Sequence, residues 1–128
     1  IEAEYKTNID SSNYYEEKIT NSFENENPKN IYRFLSAENS RDINLMSNYL
    51  SSNMTRFWKI EFPIYAEIKN EYYKTWKKYS YTNTEVIKIT KIGENIYEVI
   101  VLYDYDENLK KSTMIFEFNE NGEIIEIY

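Results

Sequence analysis

Three oxygen-bearing side chains stand at alternate positions in the segment "LYDYDENLKK": Asp104, Asp106 and Asn108. A calcium-binding loop begins in this way, because carboxylate and amide oxygens at its first, third and fifth positions coordinate the ion. Such a loop also needs glycine at position six and glutamate at position twelve, where this chain has Leu109 and Ile115. We therefore interpret the segment as the polar tip of a β-hairpin and predict no metal site in it.

The chain contains neither histidine nor cysteine. This excludes serine-histidine triads, thiol nucleophiles, thiolate zinc sites and disulfides. Catalysis would have to use carboxylates, tyrosines, serines or lysines. Asp104 is the best single candidate for a general base, because it shares a face with Ile100 and Leu102 near the end of a predicted strand. No secure catalytic motif surrounds it, so we expect a non-enzymatic protein without a cofactor.

Tyrosine is unusually frequent, with 14 copies in 128 residues. Its ring buries a large apolar area while its hydroxyl needs a partner, so tyrosine suits pocket linings and interfaces as well as core edges. Aromatic side chains also cluster around Pro63. We predict a pocket or an interface at these side chains, and the alternative is ordinary core and rim packing. The candidate residues are Phe57, Trp58, Phe62, Tyr65, Tyr72, Trp76 and Asp104.

The formal net charge of −7 argues against a general nucleic-acid binder, because phosphate contacts need a basic surface. One segment, "EYYKTWKKYSY", does interleave lysines with aromatic residues. Helical spacing places Tyr72 and Trp76 on an apolar stripe and Lys74, Lys77 and Lys78 mostly off it. We predict a helix with a solvated lysine face, and the alternative is that this face steers a protein partner.

Apolar spacing predicts three helices in the first part of the chain. The first covers residues 11–26, and Pro28 opens a continuation whose buried face is Ile31, Phe34 and Leu35. The second runs from an N-cap at Ser40 to residue 51, and the third covers residues 63–78. Periodicity leaves residues 55–62 open between a short strand and a helical turn.

From residue 84 the apolar period changes to two, which predicts four strands in a meander. In "TEVIKITKI" strict alternation places Val86 and Ile92 on one face and Ile87 and Ile89 on the other. Residues 96–105 are apolar on both faces, as is typical of a strand in the middle of a sheet. Residues 112–118 and 123–128 complete the meander. The chain is predicted to be one α+β domain, residues 1–128, with a flexible lead-in at residues 1–10.

The segment "IYRFLSAENSRDINLMSNYL", followed by "TEVIKITKIGENIYEVIVLYDY" and "KSTMIFEFNENGEIIEIY", resembles the nuclear-transport-factor-2-like superfamily. The shared pattern is a helix ending in an aromatic and small residues, a second helix beginning with Asp-Ile, and a closing meander. The resemblance implies a cone in which N-terminal helices pack in the concave face of a curved antiparallel sheet. It also implies relatives of several kinds, including ketosteroid-isomerase-like and polyketide-cyclase-like enzymes, domains of exported lipoproteins, and an assembly component of secretion and conjugation machines.

Our functional expectation is a non-enzymatic binding or assembly domain on the outer side of a bacterial membrane. It rests on the resemblance, on the missing histidine and cysteine, and on a chain that begins without methionine. Protein partners or self-association are expected, without nucleic acid, and a membrane tether would lie outside the given sequence. The alternative is a small-molecule pocket or an isomerase-like or cyclase-like enzyme that uses carboxylate and tyrosine, and a cytoplasmic location is the alternative to export.

Overall fold

The computed structural model describes residues 22–128. The predicted lead-in and the part of the first predicted helix before Ser22 lie outside this range. The described helices are α1 (Ser22–Asn39), α2 (Ile43–Ser47) and α3 (Tyr65–Lys78). The strands are β1 (Arg56–Phe57), β2 (Ile60–Glu61), β3 (Thr82–Gly93), β4 (Ile96–Tyr105), β5 (Asn108–Phe118) and β6 (Ile124–Ile127).

Helix α1 runs without a break through Pro28, so the predicted boundary before this proline is wrong. A proline inside a helix removes one backbone hydrogen bond. Pro28 is buried, and the apolar packing of its ring offsets part of that loss. The predicted inward face is observed, because Ile31 and Phe34 are fully buried and Leu35 almost so.

The second helix is shorter than predicted and begins later. Arg41 adopts a positive φ of 56°, which reverses the chain after α1, and Asp42 rather than Ser40 is the N-cap. The Asp42 carboxylate accepts a hydrogen bond from the backbone N–H of Leu45 at 3.1 Å. The helix ends at Ser47, because Leu50 forms a parallel β-bridge with Ile124 instead of continuing the turn.

The strands form one curved, unclosed sheet in the order β2-β1-β6-β5-β4-β3, and the predicted α+β class is confirmed. Four of its strands, β3 to β6, are the predicted antiparallel meander. The linker that periodicity left open contributes the other two, which form a short hairpin. Strand β1 pairs with β6 in parallel, so the sheet is mixed at this end. Strand β4 lies between β3 and β5, as its two apolar faces predicted.

A β-bulge breaks the predicted alternation of β3. The register with β4 shifts between Val86 and Lys88, so Val86 and Ile89 both point into the core, with 4% and 0% exposure. Ile87 is left 42% exposed. An extra residue in one strand reverses which side chains face inward after the bulge. A prediction from simple alternation therefore assigns the later residues to the wrong face.

The core lies between α1 and the concave face of the sheet. Phe34 of α1 meets Phe116 of β5 edge-on, with ring centroids 6.1 Å apart, and neither residue is exposed. At the end of α1, the side chain of Asn39 accepts a hydrogen bond from the backbone N–H of Thr84 and donates one to its carbonyl, at 2.7 and 2.9 Å. These bonds tie the end of α1 to β3. No helix within residues 22–128 is long and apolar enough to cross a membrane.

Candidate functional site

A cavity of about 260 Å3 lies between α1, α3 and the concave face of β3, β4 and β5. We call it the inner cavity. Its walls combine apolar and aromatic surface with one carboxylate and several hydroxyls. The lining residues are Glu38, Trp58, Tyr72, Thr75, Trp76, Thr82, Thr84, Val101, Tyr103, Ser112 and Met114.

Strand register explains the floor of the inner cavity. Thr84 of β3 lies opposite Tyr103 of β4, and Val101 lies opposite Ser112 of β5. Because alternate residues of a strand share one face, these side chains are brought to the concave side together. The hydroxyls of Thr84 and Tyr103 therefore stand in one row across the sheet, and the hydroxyl of Ser112 stands beside the apolar Val101 in the next row.

Glu38, near the end of α1, supplies the carboxylate of the inner cavity. One carboxylate oxygen, Oε2, accepts a hydrogen bond from the hydroxyl of Tyr72 at 2.7 Å, and Oε1 accepts one from Thr84 Oγ1 at 3.0 Å. Helix α3, through Tyr72, and strand β3, through Thr84, thus both donate a hydrogen bond to the same carboxylate of α1. Both hydrogen bonds hold the carboxylate in one orientation toward the cavity.

Burial away from water raises the pKa of Glu38, although the hydrogen bonds from Tyr72 and Thr84 oppose this shift. Desolvation disfavours the ionised form of a carboxyl group, whereas donors to the carboxylate favour it. A carboxyl group with a raised pKa exchanges protons closer to neutral pH than an exposed one. Glu38 is therefore the described side chain best suited to acid–base chemistry.

The two tyrosines of the inner cavity stay protonated at neutral pH. Burial, followed by the charge of Glu38, raises the pKa of Tyr72 well above its usual range. The pKa of Tyr103 is raised by burial and by the same carboxylate, and only Arg41 among its charged neighbours opposes this. A protonated phenol is a hydrogen-bond donor. Tyr72 already donates to Glu38, whereas Tyr103 lines the cavity on the facing strand.

A second depression, of about 660 Å3, adjoins the inner cavity and shares Trp58, Tyr72 and Thr75 with it. We call it the outer groove. Its lining residues are Arg56, Phe57, Trp58, Lys59, Ile60, Glu71, Tyr72, Thr75 and Tyr128. Trp58 occupies the turn of the β1–β2 hairpin at a φ of 55°, an uncommon backbone conformation for a large residue, and it lies between the two spaces.

Four of the predicted site residues come together here. The ring of Tyr72 contacts those of Phe57 and Trp76, with centroids 5.6 and 5.3 Å away, and Phe57 meets Trp58 edge-on at 6.4 Å. Phe57, with 2% exposure, also belongs to the hydrophobic core. These rings form a continuous aromatic wall along the groove and the cavity.

The other predicted residues lie elsewhere. Phe62 is 73% exposed and Tyr65 is 40% exposed, and neither lines the two spaces. Phe62 lies outside both spaces because its positive φ of 49° directs the chain away from them after β2. Asp104 follows Tyr103 on β4 and so points to the opposite face of the sheet from the cavity.

The segment around Asp104 is a β-hairpin tip, as predicted. Tyr105 pairs with Asn108, and the two turn residues, Asp106 and Glu107, have the positive φ values of a tight hairpin turn. Asp104 accepts a hydrogen bond from the backbone N–H of Glu107 at 2.8 Å, so its carboxylate stabilises the turn. Within residues 22–128, no group of three or more acidic side chains is arranged to hold a metal ion.

Helix α3 has the predicted division into an apolar stripe and a basic face. Tyr72 and Ile68 are buried, while Lys74, Lys77 and Lys78 are exposed. Lys74 pairs with Glu71 at 3.3 Å across one turn of the helix. The lysines therefore lie on the side of α3 that faces away from the inner cavity.

Reasoning from the sequence did not find Glu38. The signal was present, because Ile31, Phe34, Leu35 and Glu38 follow the spacing of three, four and seven residues that defines one helix face. A glutamate on the buried stripe of a helix requires a partner or a function. Its partners, Tyr72 and Thr84, are 34 and 46 residues away along the chain, and only the fold brings them close.

Glu38 should make stability depend on pH in an unusual direction. The folded chain holds the Glu38 proton more tightly than the unfolded chain, so the free energy of unfolding falls as pH rises from the usual carboxyl range through the raised pKa. Glu38→Gln removes this dependence. We expect its Tm, relative to wild type, to rise progressively as the pH is raised from the usual carboxyl range upward, measured by thermal denaturation. A difference in Tm between the two proteins that stays constant with pH would contradict the raised pKa of Glu38. Burial also raises the pKa of Glu117, but Glu117 is present in both proteins, so its effect on Tm cancels in the difference.

No family model and no curated protein matches the sequence. Solved structures do match its fold. One is a "putative polyketide cyclase" from Sinorhizobium meliloti, with 12% identity, a TM-score of 0.65, and coverage of 76% of this chain and 89% of that one. An NTF2-like protein of unknown function from Cytophaga hutchinsonii has 16% identity, a TM-score of 0.62, and coverage of 79% and 85%.

A third match is an uncharacterized cystatin-fold protein from Novosphingobium aromaticivorans. It has 7% identity and a TM-score of 0.65, with 79% of this chain and 94% of that one covered. Identities this low establish the fold alone. Together with the N-terminal helices in the hollow of a curved, unclosed sheet, these matches show that the chain has the nuclear-transport-factor-2-like cone fold.

Proposed function

We propose that the chain binds a small organic molecule in the inner cavity and that Glu38 transfers a proton on it. The observation that carries this proposal is a half-buried carboxylate with a raised pKa, held by Tyr72 and Thr84 in a cavity walled by aromatic rings. Ligand sites are typically apolar pockets with a few convergent polar groups, and shifted pKa values concentrate at such sites.

The chemistry suits a carbonyl compound with an acidic C–H bond beside the carbonyl. Glu38 takes this proton, the C–H electron pair forms a carbon–carbon double bond, and the carbonyl oxygen becomes an enolate. The Tyr103 hydroxyl donates a hydrogen bond to that oxygen. Glu38 then returns the proton to the same or another carbon, and the carboxylate is regenerated. The cycle balances without an oxidant or a cofactor.

This proposal corresponds to the alternative that the sequence left open, an isomerase-like or cyclase-like pocket protein using carboxylate and tyrosine. The inner cavity supports it, as does the name of the Sinorhizobium meliloti neighbour. The carboxylate is Glu38, however, and not the predicted Asp104. The location outside the membrane and the protein partners stay predictions.

The test uses 2-tetralone, a fused-ring ketone with exchangeable C–H bonds beside its carbonyl. Binding is followed by the fluorescence of Trp58 and Trp76, which line the cavity. Proton transfer is followed by NMR as replacement of hydrogen by deuterium in heavy water. We expect saturable binding and exchange faster than in buffer. Binding without accelerated exchange would leave a non-enzymatic binding protein, and absence of binding would overturn the proposal.

A further inference from the structure

The outer groove concentrates positive charge in an acidic chain. Arg56 and Lys59 both belong to the β1–β2 hairpin and line the groove, whereas the whole chain has a net charge of −7. The acidic residue of the groove, Glu71, is paired with Lys74. Among the side chains that line the groove, the basic ones therefore outnumber the acidic one, which favours an anionic group on a bound molecule. A glutamate of each neighbouring strand also lies opposite Arg56 in the strand pairing, and neither of them lines the groove.

The guanidinium group of Arg56 is held in place in advance of any ligand. Its Nε donates a hydrogen bond to the backbone carbonyl of Trp58 at 2.8 Å, and the group lies 4.5 Å from the ring centroid of Tyr128. Arg56 is half-buried. Fixing an arginine side chain before binding lowers the entropy cost that each ligand contact must overcome.

The two terminal nitrogens of Arg56 make no hydrogen bond or ion pair within the described part of the chain. Their N–H groups form a planar fork, and its geometry matches the two oxygens of a carboxylate. A half-buried, immobilised guanidinium whose terminal nitrogens have no partner among the described residues is the arrangement expected of a group that binds an anionic ligand.

The groove and the inner cavity adjoin each other, because Trp58, Tyr72 and Thr75 line both. A molecule whose ring system lies in the inner cavity can therefore extend past Trp58 toward Arg56. We propose that the ligand of the inner cavity is an aromatic or fused-ring carboxylic acid, whose carboxylate Arg56 binds in the outer groove while Lys59 adds positive charge. This inference rests on the proposed function, since it concerns the same site.

The test compares two probes that share one fused-ring skeleton: 6-hydroxy-2-naphthylacetic acid and its methyl ester, which lacks the negative charge and carries one additional methyl group. Their affinities are measured by tryptophan fluorescence with wild-type protein and variants. We expect wild type to bind the acid about tenfold more tightly than the ester, as is typical of a charge-assisted hydrogen-bonded pair. Arg56→Gln should equalise the two affinities by weakening the acid alone, and Arg56→Lys should keep part of the preference.

Lys77→Gln is the matched control, because Lys77 is exposed on α3 and lines neither space. It should leave the preference for the acid unchanged. Equal affinities of wild type for acid and ester would overturn the carboxylate inference and leave the proposed function standing. A preference that survives Arg56→Gln would overturn the assignment to Arg56. Failure of both probes to bind would overturn the proposed function, and this inference with it.

Discussion

Replacing Glu38 with glutamine is expected to lower the rate of proton exchange on bound 2-tetralone by about 10²-fold to 10⁴-fold, the usual contribution of a positioned general base. Glutamine has the same shape and still occupies the space between Tyr72 and Thr84, but it does not accept a proton from carbon. Binding should change little, because the aromatic wall is intact. Exchange is measured by NMR and binding by fluorescence on the same samples.

Two comparisons separate a catalytic role of Glu38 from a structural one. Tyr72→Phe removes a hydrogen bond that lowers the pKa of Glu38, so the pH midpoint of the exchange rate should move upward. Asp104→Asn, on the other face of the sheet, should leave the exchange rate unaltered. Exchange that persists at the wild-type rate in Glu38→Gln would remove Glu38 from the mechanism.

Phe116→Ala is expected to destabilise the fold by about 3–5 kcal/mol, as measured by chemical denaturation. Phe116 is fully buried on β5 and packs against Phe34 of α1, so truncation leaves a cavity where the helix meets the sheet. The reason for the large effect is the loss of both buried apolar surface and close packing. Phe62→Ala is the matched control, because Phe62 is 73% exposed, and it should change stability by less than about 0.5 kcal/mol.

The contact between Phe34 and Phe116 can be measured separately by a double-mutant cycle. Edge-on aromatic pairs contribute about 0.5–1.5 kcal/mol beyond the area that they bury. With the Phe34→Ala and Phe116→Ala variants and the double variant, the coupling energy should fall in this range. Additive losses would show that α1 and the sheet are held together by the remaining core and that this pair has no special role.

Much of the architecture was predictable because periodicity reports which face of an element is buried. The stripe on α3 and the doubly apolar β4 were identified correctly, as was the hairpin tip that contains Asp104. The positions of helix ends were predicted less well. The N-cap is Asp42 because the positive φ of Arg41 reverses the chain one residue earlier, and a pattern of apolar spacing does not contain that backbone conformation.

The site was predictable in part. Phe57, Trp58, Tyr72 and Trp76 were among the predicted pocket or interface residues, since tyrosine and tryptophan concentrate where apolar surface meets polar groups, and the fold places these four side by side. Asp104 was chosen as the leading carboxylate because residues two apart share a face of a strand. That face lies opposite the cavity. When a strand is apolar on both faces, its local pattern does not show which face points into the core.

The amino-acid sequence by itself indicated most of the helices, the four-stranded meander, the α+β class and the chemistry to exclude, because these follow from composition and from short-range spacing. Tertiary structure alone decided which acidic group lines the inner cavity. Glu38 acquires its raised pKa from burial and its orientation from Tyr72 and Thr84, residues that are distant in the sequence. The pKa of a carboxyl group depends on the water, charges and donors around it in space, and folding creates that environment.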